Sequence, residues 1–444
     1  MFIDEALSWD ASDGSPRDVL TGVRATEISP PAHYYGLWAW INAFGIDEWV
    51  MRLPSAMAGV CLVLVVFRLG SLVFGARAGL VSALLAALSP LVLTYAQQAR
   101  PYVFAMLLVG VAVLVLLEAD RADSQRTRGT WLVIGGVVAV VAFWTHYTAG
   151  LVLAPLLVWT CTQEGFGRRA KVALVAAVLL SWAASLPLLT EQLSHDHQLG
   201  IAAFGTLTVD HVVSAVGTPF DGRLGRMTVW STAGAAVVAL AAAAALGWSR
   251  GERRSGTVLI AAAAVSPVLA VIGVTAVSDD VLLTRYTAVA APFMLVMIGG
   301  AVVRAPRALG VGVGCAAVMC AAATTVLNHG SGSFYPDVRS AYEEIGAGYR
   351  PGDAITVSGY ASLGPITEYY RGQLAPQAPS ALLPGMDAQS GEAIRERRRV
   401  WILASGAPNP SAVGRALAPL GYRLDQVTTH EASGDLQLVL AVPR

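Results

Sequence analysis

Four polar stretches interrupt a sequence that is otherwise mostly apolar, and each holds side chains able to do chemistry. Asp4 and Glu5 form an acidic pair near the first residue. A carboxylate can take the proton of an attacking hydroxyl, and a pair can ligate a divalent cation; a solvated acidic turn is the plainer alternative. YAQQARPY (95–102) contains Arg100, flanked by Tyr95 and Tyr102. Its planar fork can grip a phosphate through paired hydrogen bonds, although arginine among aromatics also suits a membrane–water interface. WTHY (144–147) offers His146, which can bind a sugar, a phosphate or a metal, or bond a nearby backbone group. SDDVLLTRY (278–286) ends in Arg285 and Tyr286, a second candidate phosphate grip, while Asp279 and Asp280 read as loop solvation.

The elements that must position these groups are set by composition. Of 444 residues, 55% are hydrophobic and 14% charged, against roughly 25% charged in soluble globular proteins. That points to a membrane protein. Thirty cations balance thirty anions, so no global basic face offers itself to nucleic acid. Cys61, Cys161, Cys315 and Cys320 lie in apolar runs without metal-ligand spacing and read as small core residues. No P-loop, HExxH or GxSxG motif is present.

Ten apolar runs suit membrane-crossing helices, near 52–70, 79–95, 101–118, 131–147, 148–163, 172–189, 229–248, 256–277, 285–303 and 308–327. Cations concentrate in alternate connections: Arg68 and Arg77; Arg121, Arg126 and Arg128; Arg168, Arg169 and Lys171; Arg250, Arg253 and Arg254; Arg304 and Arg307. Such loops face the cytoplasm, which sends all four polar stretches to the external side. The stretch PPAHYYGLWAWINAFG (30–45) is too short to cross and reads as an interfacial helix, its aromatics at headgroup level. From about 333 charges, Pro and Gly rise, and β-like runs at 353–360, 399–405 and 436–443 alternate with helix-like stretches at 337–349 and 411–420. The expected class is mainly α: a polytopic membrane protein of about ten transmembrane helices with external interfacial helices and a C-terminal external α/β domain. Its expected parts are an external loop over 1–50 with the acidic motif, a transmembrane helical domain over 51–328, and the external domain over 329–444.

In order along the chain stand DEALS (4–8), PPAHYY (30–35), RLPSAMAG (52–59), LSPLVLTYAQQARPY (88–102), THY (145–147) and RYTAVAAP (285–292). This succession resembles the GT-C polyprenyl-phosphate-sugar glycosyltransferases related to protein O-mannosyltransferases and the aminoarabinose lipid A transferase. The likeness covers about residues 1–330 and is looser in the tail. It implies inverting transfer of a sugar from a polyprenyl phosphate to an acceptor (glycan, lipid or protein) outside the cytoplasmic membrane. It implies Asp4 as general base with Glu5 supporting it or an ion; the cofactor is otherwise undefined, a divalent cation held by Asp4 and Glu5 being the one candidate. Arg100, Arg285, Tyr102 and Tyr286 are then the expected donor-phosphate site, and His146, Gln98 and Tyr35 the expected substrate contacts.

Three departures from the family pattern bear on these expectations. Gln98 stands where members often carry an acidic residue, and Ser29 where many have His before Pro-Pro, His33 lying nearby. Members also begin with a transmembrane helix before the acidic pair, so an in-frame apolar helix is expected upstream of Met1. Two rivals are a transporter or flippase of a lipid-linked sugar, which repeated halves and midplane charges would mark, and an inactive relative acting in binding or assembly.

Overall fold

The computed structural model describes residues 3–196, 209–220, 229–247, 253–277, 284–330, 337–358, 363–381, 397–405, 417–430 and 436–444, with Val413 and Arg415. The chain divides into two units, residues 11–328 and residues 1–10 with 329–444. Helix α1 (Ile3–Asp10) belongs to the second of these.

The larger unit starts with two short helices, α2 (Pro16–Thr26) and α3 (Ala32–Phe44). Pro16 opens α2 with its fixed φ, and the Asp18 carboxylate accepts the Ser15 N–H at 2.8 Å, so an otherwise orphan donor is satisfied. Val19 and Val23 of α2 bury against Ala11 and Tyr34. Tyr34 is wholly buried, so this aromatic packs inside the protein and not among headgroups. Trp38 and Trp40 donate their indole N–H groups to the Gly14 and Val50 carbonyls.

The long helices follow: α4 (Glu48–Phe74), α5 (Ala76–Leu88), α6 (Pro90–Ala96), α7 (Tyr102–Arg121), α8 (Gln125–Thr145), α9 (Ala149–Thr162), α10 (Arg168–Asp196), α11 (Val209–Val216), α12 (Val229–Gly247), α13 (Arg253–Val277), α14 (Ala291–Arg304) and α15 (Arg307–Gly330). Among the described residues seven helices are long and apolar enough to cross a membrane, and the pair α5–α6, bent by 58°, makes up to eight. This is a multi-pass membrane protein. The bend falls at Ser89-Pro90, where Pro90 removes a backbone donor and the Ser89 hydroxyl caps the new helix by accepting the Val92 N–H.

In lipid each freed backbone group needs a partner, and one is visible here. Pro155 inside α9 cannot donate to the Leu151 carbonyl, and Ser266 of α13 donates to that carbonyl instead, at 2.7 Å. Cations gather at one end of the helices. Arg68 of α4 pairs with Glu118 of α7 at 2.9 Å, Arg121 donates to the Leu72 carbonyl, and Arg304 lies over the Phe74 ring, 4.6 Å from its centroid. α7 runs from Tyr102 to Arg121, so Arg100 stands at the opposite end.

Helices α4, α5 and α14 touch through small residues, the mode of association that apolar surroundings favour. A Cβ on Gly299 would sit 2.7 Å from the Ala78 carbonyl oxygen, and one on Gly79 would sit 2.5 Å from that of Phe67. Gly299→Leu is therefore expected to destabilise the unit by about 1–3 kcal/mol through overpacking. A lowered unfolding temperature in detergent would report it, and an unchanged one would contradict the close approach.

In the smaller unit four strands form one sheet in the order β1-β2-β4-β3: β1 (Ala354–Ser358), β2 (Val400–Ser405), β3 (Tyr422–His430) and β4 (Leu436–Pro443). β1 and β2 are parallel, with α17 (Leu363–Leu374) in the connection between them; β4 runs antiparallel to both β2 and β3. α16 (Val338–Gly348) precedes β1. Asp353 clamps the sheet at its head. It accepts hydrogen bonds from Arg399 Nε and Nη2 at 3.0 and 2.6 Å, from Trp401 Nε1 at 3.1 Å and from the Arg350 N–H. Burial opposes its charge, yet these donors outweigh it and hold the carboxyl below its ordinary pKa. The expected α/β tail is thus present, except that the stretch 411–420 lies largely outside the described residues.

Candidate functional site

Arg100 sits in the break between α6 and α7. Its N–H bonds the Gln98 carbonyl at 2.8 Å, a tight turn, and Pro101 then starts α7. The turn aims the side chain inward, where it is 8% exposed. There it meets a partner that sequence reasoning missed. Glu27, at the C-terminal end of α2 and 4% exposed, takes both arms of the fork, Nη1–Oε1 at 2.6 Å and Nη2–Oε2 at 3.2 Å. Two buried opposite charges held bidentately satisfy the condition under which burial of an ion pair is tolerated.

Gln192, near the end of α10 and 1% exposed, fixes the segment that carries Glu27. Its Nε2 donates to the Val23 and Ser29 carbonyls at 3.2 and 2.9 Å, on either side of Glu27, and its Oε1 accepts the Tyr147 hydroxyl at 3.0 Å. The amide thus uses both donors and its acceptor. Gln192→Glu would face two carbonyls with a carboxylate and is expected to cost about 1–3 kcal/mol. Glu191→Gln, which removes only the exposed 3.6 Å pair with Arg24, should cost less than about 1 kcal/mol. Thermal unfolding of the two variants side by side checks this, and equal midpoints would refute it.

Two imidazoles flank the ion pair. His146 follows α8 and is 3% exposed. Its Nδ1 receives the Thr148 N–H at 3.3 Å and lies 2.8 Å from the Thr148 hydroxyl, which leaves Nε2 as the N–H donor. Burial, then the charges of Arg100 and Arg285, push its pKa down to about 3. His33 of α3 is also lowered to about 3, by burial and then by Arg100; it bonds the Ala99 backbone, and its buried Nε2 has no hydrogen-bond partner among the described residues. Both rings stay neutral at ordinary pH. Burial, with the neighbouring Glu27 charge, holds the Tyr34 phenol well above its usual range.

The aromatic motif residues line up beside these groups. Tyr102 lies 4.5 Å from Tyr95 and 5.2 Å from His146, centroid to centroid, and the Arg100 guanidinium lies 6.0 Å from the Tyr102 ring. Arg285 and Tyr286 lie half-buried in a 3₁₀ turn, Thr284–Ala290, which leads into α14. That turn is tied to a second one, Thr218–Phe220, by a 2.5 Å bond between Thr287 and Thr218 hydroxyls. Ser89 in turn donates to the Pro219 carbonyl, so the α5–α6 bend and both turns are linked.

The structure brings Arg100, Tyr102, His146 and Arg285 near one another and adds Glu27, His33, Tyr34 and Gln192. Gln98 and Tyr35 are half-buried nearby in sequence: Gln98 supplies the carbonyl of the Arg100 turn, and Tyr35 packs against the α2–α3 core. Asp4 and Glu5 belong to the smaller unit, on α1, with Asp4 half-buried and Glu5 1% exposed. Asp279 and Asp280 lie outside the described residues. Among the described residues no three His, Cys, Asp or Glu side chains converge as a metal site.

A protein-family comparison matches residues 29–190 to dolichyl-phosphate-mannose-protein mannosyltransferase. ArnT from Cupriavidus metallidurans superposes in the apo state with a TM-score of 0.61 at 14% identity, covering 98% of this chain and 93% of that one. The chain thus has the fold of ArnT. The same ArnT bound to undecaprenyl phosphate aligns with the same TM-score at 15% identity. An Archaeoglobus fulgidus oligosaccharyltransferase tethered with an acceptor peptide aligns at 0.50 and 12% identity, covering 95% of this chain and 64% of that one. Comparison with curated proteins finds no match. The GT-C resemblance carried by the ordered motifs is borne out, and four of the six quoted stretches fall inside the matched region 29–190. The ArnT-like fold also accounts for the helical bulk with a small C-terminal sheet domain.

Proposed function

We propose that the protein transfers a sugar, with inversion, from a polyprenyl-phosphate donor to a hydroxyl acceptor on the outer face of the cytoplasmic membrane. The observation that carries the proposal is the convergence of Arg100, Arg285 and a neutral His146 at the end of the helices opposite the cation-rich one. An anionic group finds there two fixed guanidinium charges and the Nε2–H of an imidazole that does not compete by protonating. A phosphate would share Arg100 with Glu27, whose carboxylate keeps the buried cation from standing alone.

The acceptor oxygen attacks the anomeric carbon, the carbon–oxygen bond to the phosphate breaks, and the electron pair leaves with the phosphate. The hydroxyl proton passes to the Asp4 carboxylate. The leaving phosphate gains one negative charge, which preorganised donors stabilise more than they stabilise the intact donor. The ArnT bound to undecaprenyl phosphate supports a lipid-phosphate ligand here, and the acidic motif DEALS supports Asp4 as the base.

Incubating the purified protein with a panel of polyprenyl-phosphate sugars and following donor consumption tests the proposal. Consumption of one donor is expected. A donor that binds but is never consumed, with acceptors of all three classes present, would leave a binding protein and overturn the transferase.

A further inference from the structure

We infer that the C-terminal unit is the seat of the acidic motif: α17 holds α1, and the contact between Trp9 and Tyr369 sets where the Asp4 carboxylate stands. This rests on Asp4 being the base proposed above.

An eight-residue helix such as α1 is too short to be stable in water on its own. Within this chain α1 packs against α17, more than 350 positions further along. The contact is specific. The Trp9 ring meets Tyr369 edge to face, 5.3 Å between centroids and 77° between planes, and Tyr369 meets Tyr370 the same way at 5.1 Å and 80°. Ile366, Tyr369 and Tyr370 are 0%, 2% and 3% exposed, so the platform under Trp9 is buried.

Helix geometry carries this to the carboxylate. Glu5, Ser8 and Trp9 share one face by their i, i+3, i+4 spacing, and all three are buried. Asp4 lies one residue round from that face and is half-buried. Fixing the Trp9 ring therefore fixes the rotation of α1 about its axis and with it the direction of Asp4. The platform is itself anchored. α17 packs against α16, and α16 is tied to the sheet by Arg399, which donates to the Gly348 carbonyl at 2.6 Å, and by Gln426 and Thr428 of β3, which donate to the Glu344 carboxylate. At the end of α17 Arg371 pairs with Glu368 and donates to the Ala378 carbonyl. A run of rigid contacts thus joins the sheet to the acidic pair, which makes Trp9 and Tyr369 positioning residues and gives the tail domain a part in the reaction.

The test uses the full chain in detergent or nanodiscs, with hydrogen exchange of residues 3–10 and steady-state transfer as separate readouts. Trp9→Ala and Tyr369→Leu are expected to speed exchange across 3–10 and to lower kcat about 100-fold, the cost of an ångström-scale misplacement, with KM for the donor unchanged. Trp9→Phe, which keeps an aromatic edge, should restore slow exchange and most of the rate. Unchanged exchange in both disruptive variants would overturn the inference. So would unchanged kcat in both while Asp4→Asn abolishes transfer. If the unaltered protein consumes no donor, the Asp4 assignment falls, and the exchange data still decide whether α17 seats α1.

Discussion

Asp4→Asn is expected to cut sugar transfer by roughly 10²–10⁴-fold, the usual worth of a general base, while the protein reaches the membrane in normal amount. Asparagine keeps the shape of the side chain and removes its capacity to take a proton. Asp4 is half-buried on α1, so the isosteric change leaves the helix packing largely as it was. Donor binding is predicted to persist, because the groups assigned to the phosphate, Arg100, Arg285 and His146, are untouched. The measurement is donor consumption at saturating acceptor, with membrane levels and donor affinity as controls. Full activity in this variant would sink the assignment of Asp4.

The second large effect falls on the buried ion pair. Removing one partner of a desolvated pair strands the other, at about 3–5 kcal/mol. Glu27→Leu should therefore destabilise the larger unit strongly, since Arg100 would keep its charge at 8% exposure with its main counter-charge gone. Arg100→Met should do the same by stranding Glu27. The double variant Glu27→Leu/Arg100→Met replaces two charges with two apolar side chains and is expected to regain most of the lost stability. It should not regain transfer, because the guanidinium proposed to hold the donor phosphate is gone. Unfolding midpoints of the four proteins form a double-mutant cycle. Strictly additive losses would show that the pair contributes no coupling, contrary to the 2.6 and 3.2 Å contacts.

What the sequence made legible follows from how each signal is written. Long apolar runs announce spans directly, and the ten expected ones all fall on helices, seven of them long and apolar enough to cross. Hydropathy is blind to direction, however, so 79–95 reads as one span although it bends by 58° at Ser89-Pro90. α9 is a single 14-residue helix, shorter than an ordinary crossing. In the tail, β1, β2 and β4 show as apolar runs. β3 was missed because YRLDQVTTH is an edge strand exposed along most of its length, and α17 because Pro365 and Gly372 break its helical look.

The site divides in the same way. Arg100, Tyr102, His146 and Arg285 were legible because each stands in a compact polar motif at the end of an apolar run. Glu27 and Gln192 were not. Their roles exist only through partners far along the chain, 73 positions away for Glu27 and from 45 to 169 for Gln192, and nothing in their immediate surroundings distinguishes them from surface residues. The nearest hint was Glu27 standing just before Ser29-Pro30-Pro31, a segment whose bend brings a carboxylate inward.

One feature of the site bears on how it behaves in changing surroundings. Its cations are arginines, which never lose their charge in proteins, and its two imidazoles stay uncharged until about pH 3. From mildly acid to alkaline conditions these cations and imidazoles are titration-silent. The lipid phosphate, by contrast, titrates. A sugar-bearing phosphodiester keeps one charge throughout, whereas the released monoester gains a second near pH 6, as phosphate monoesters do. Acidification would thus weaken the hold on spent carrier without touching the hold on fresh donor.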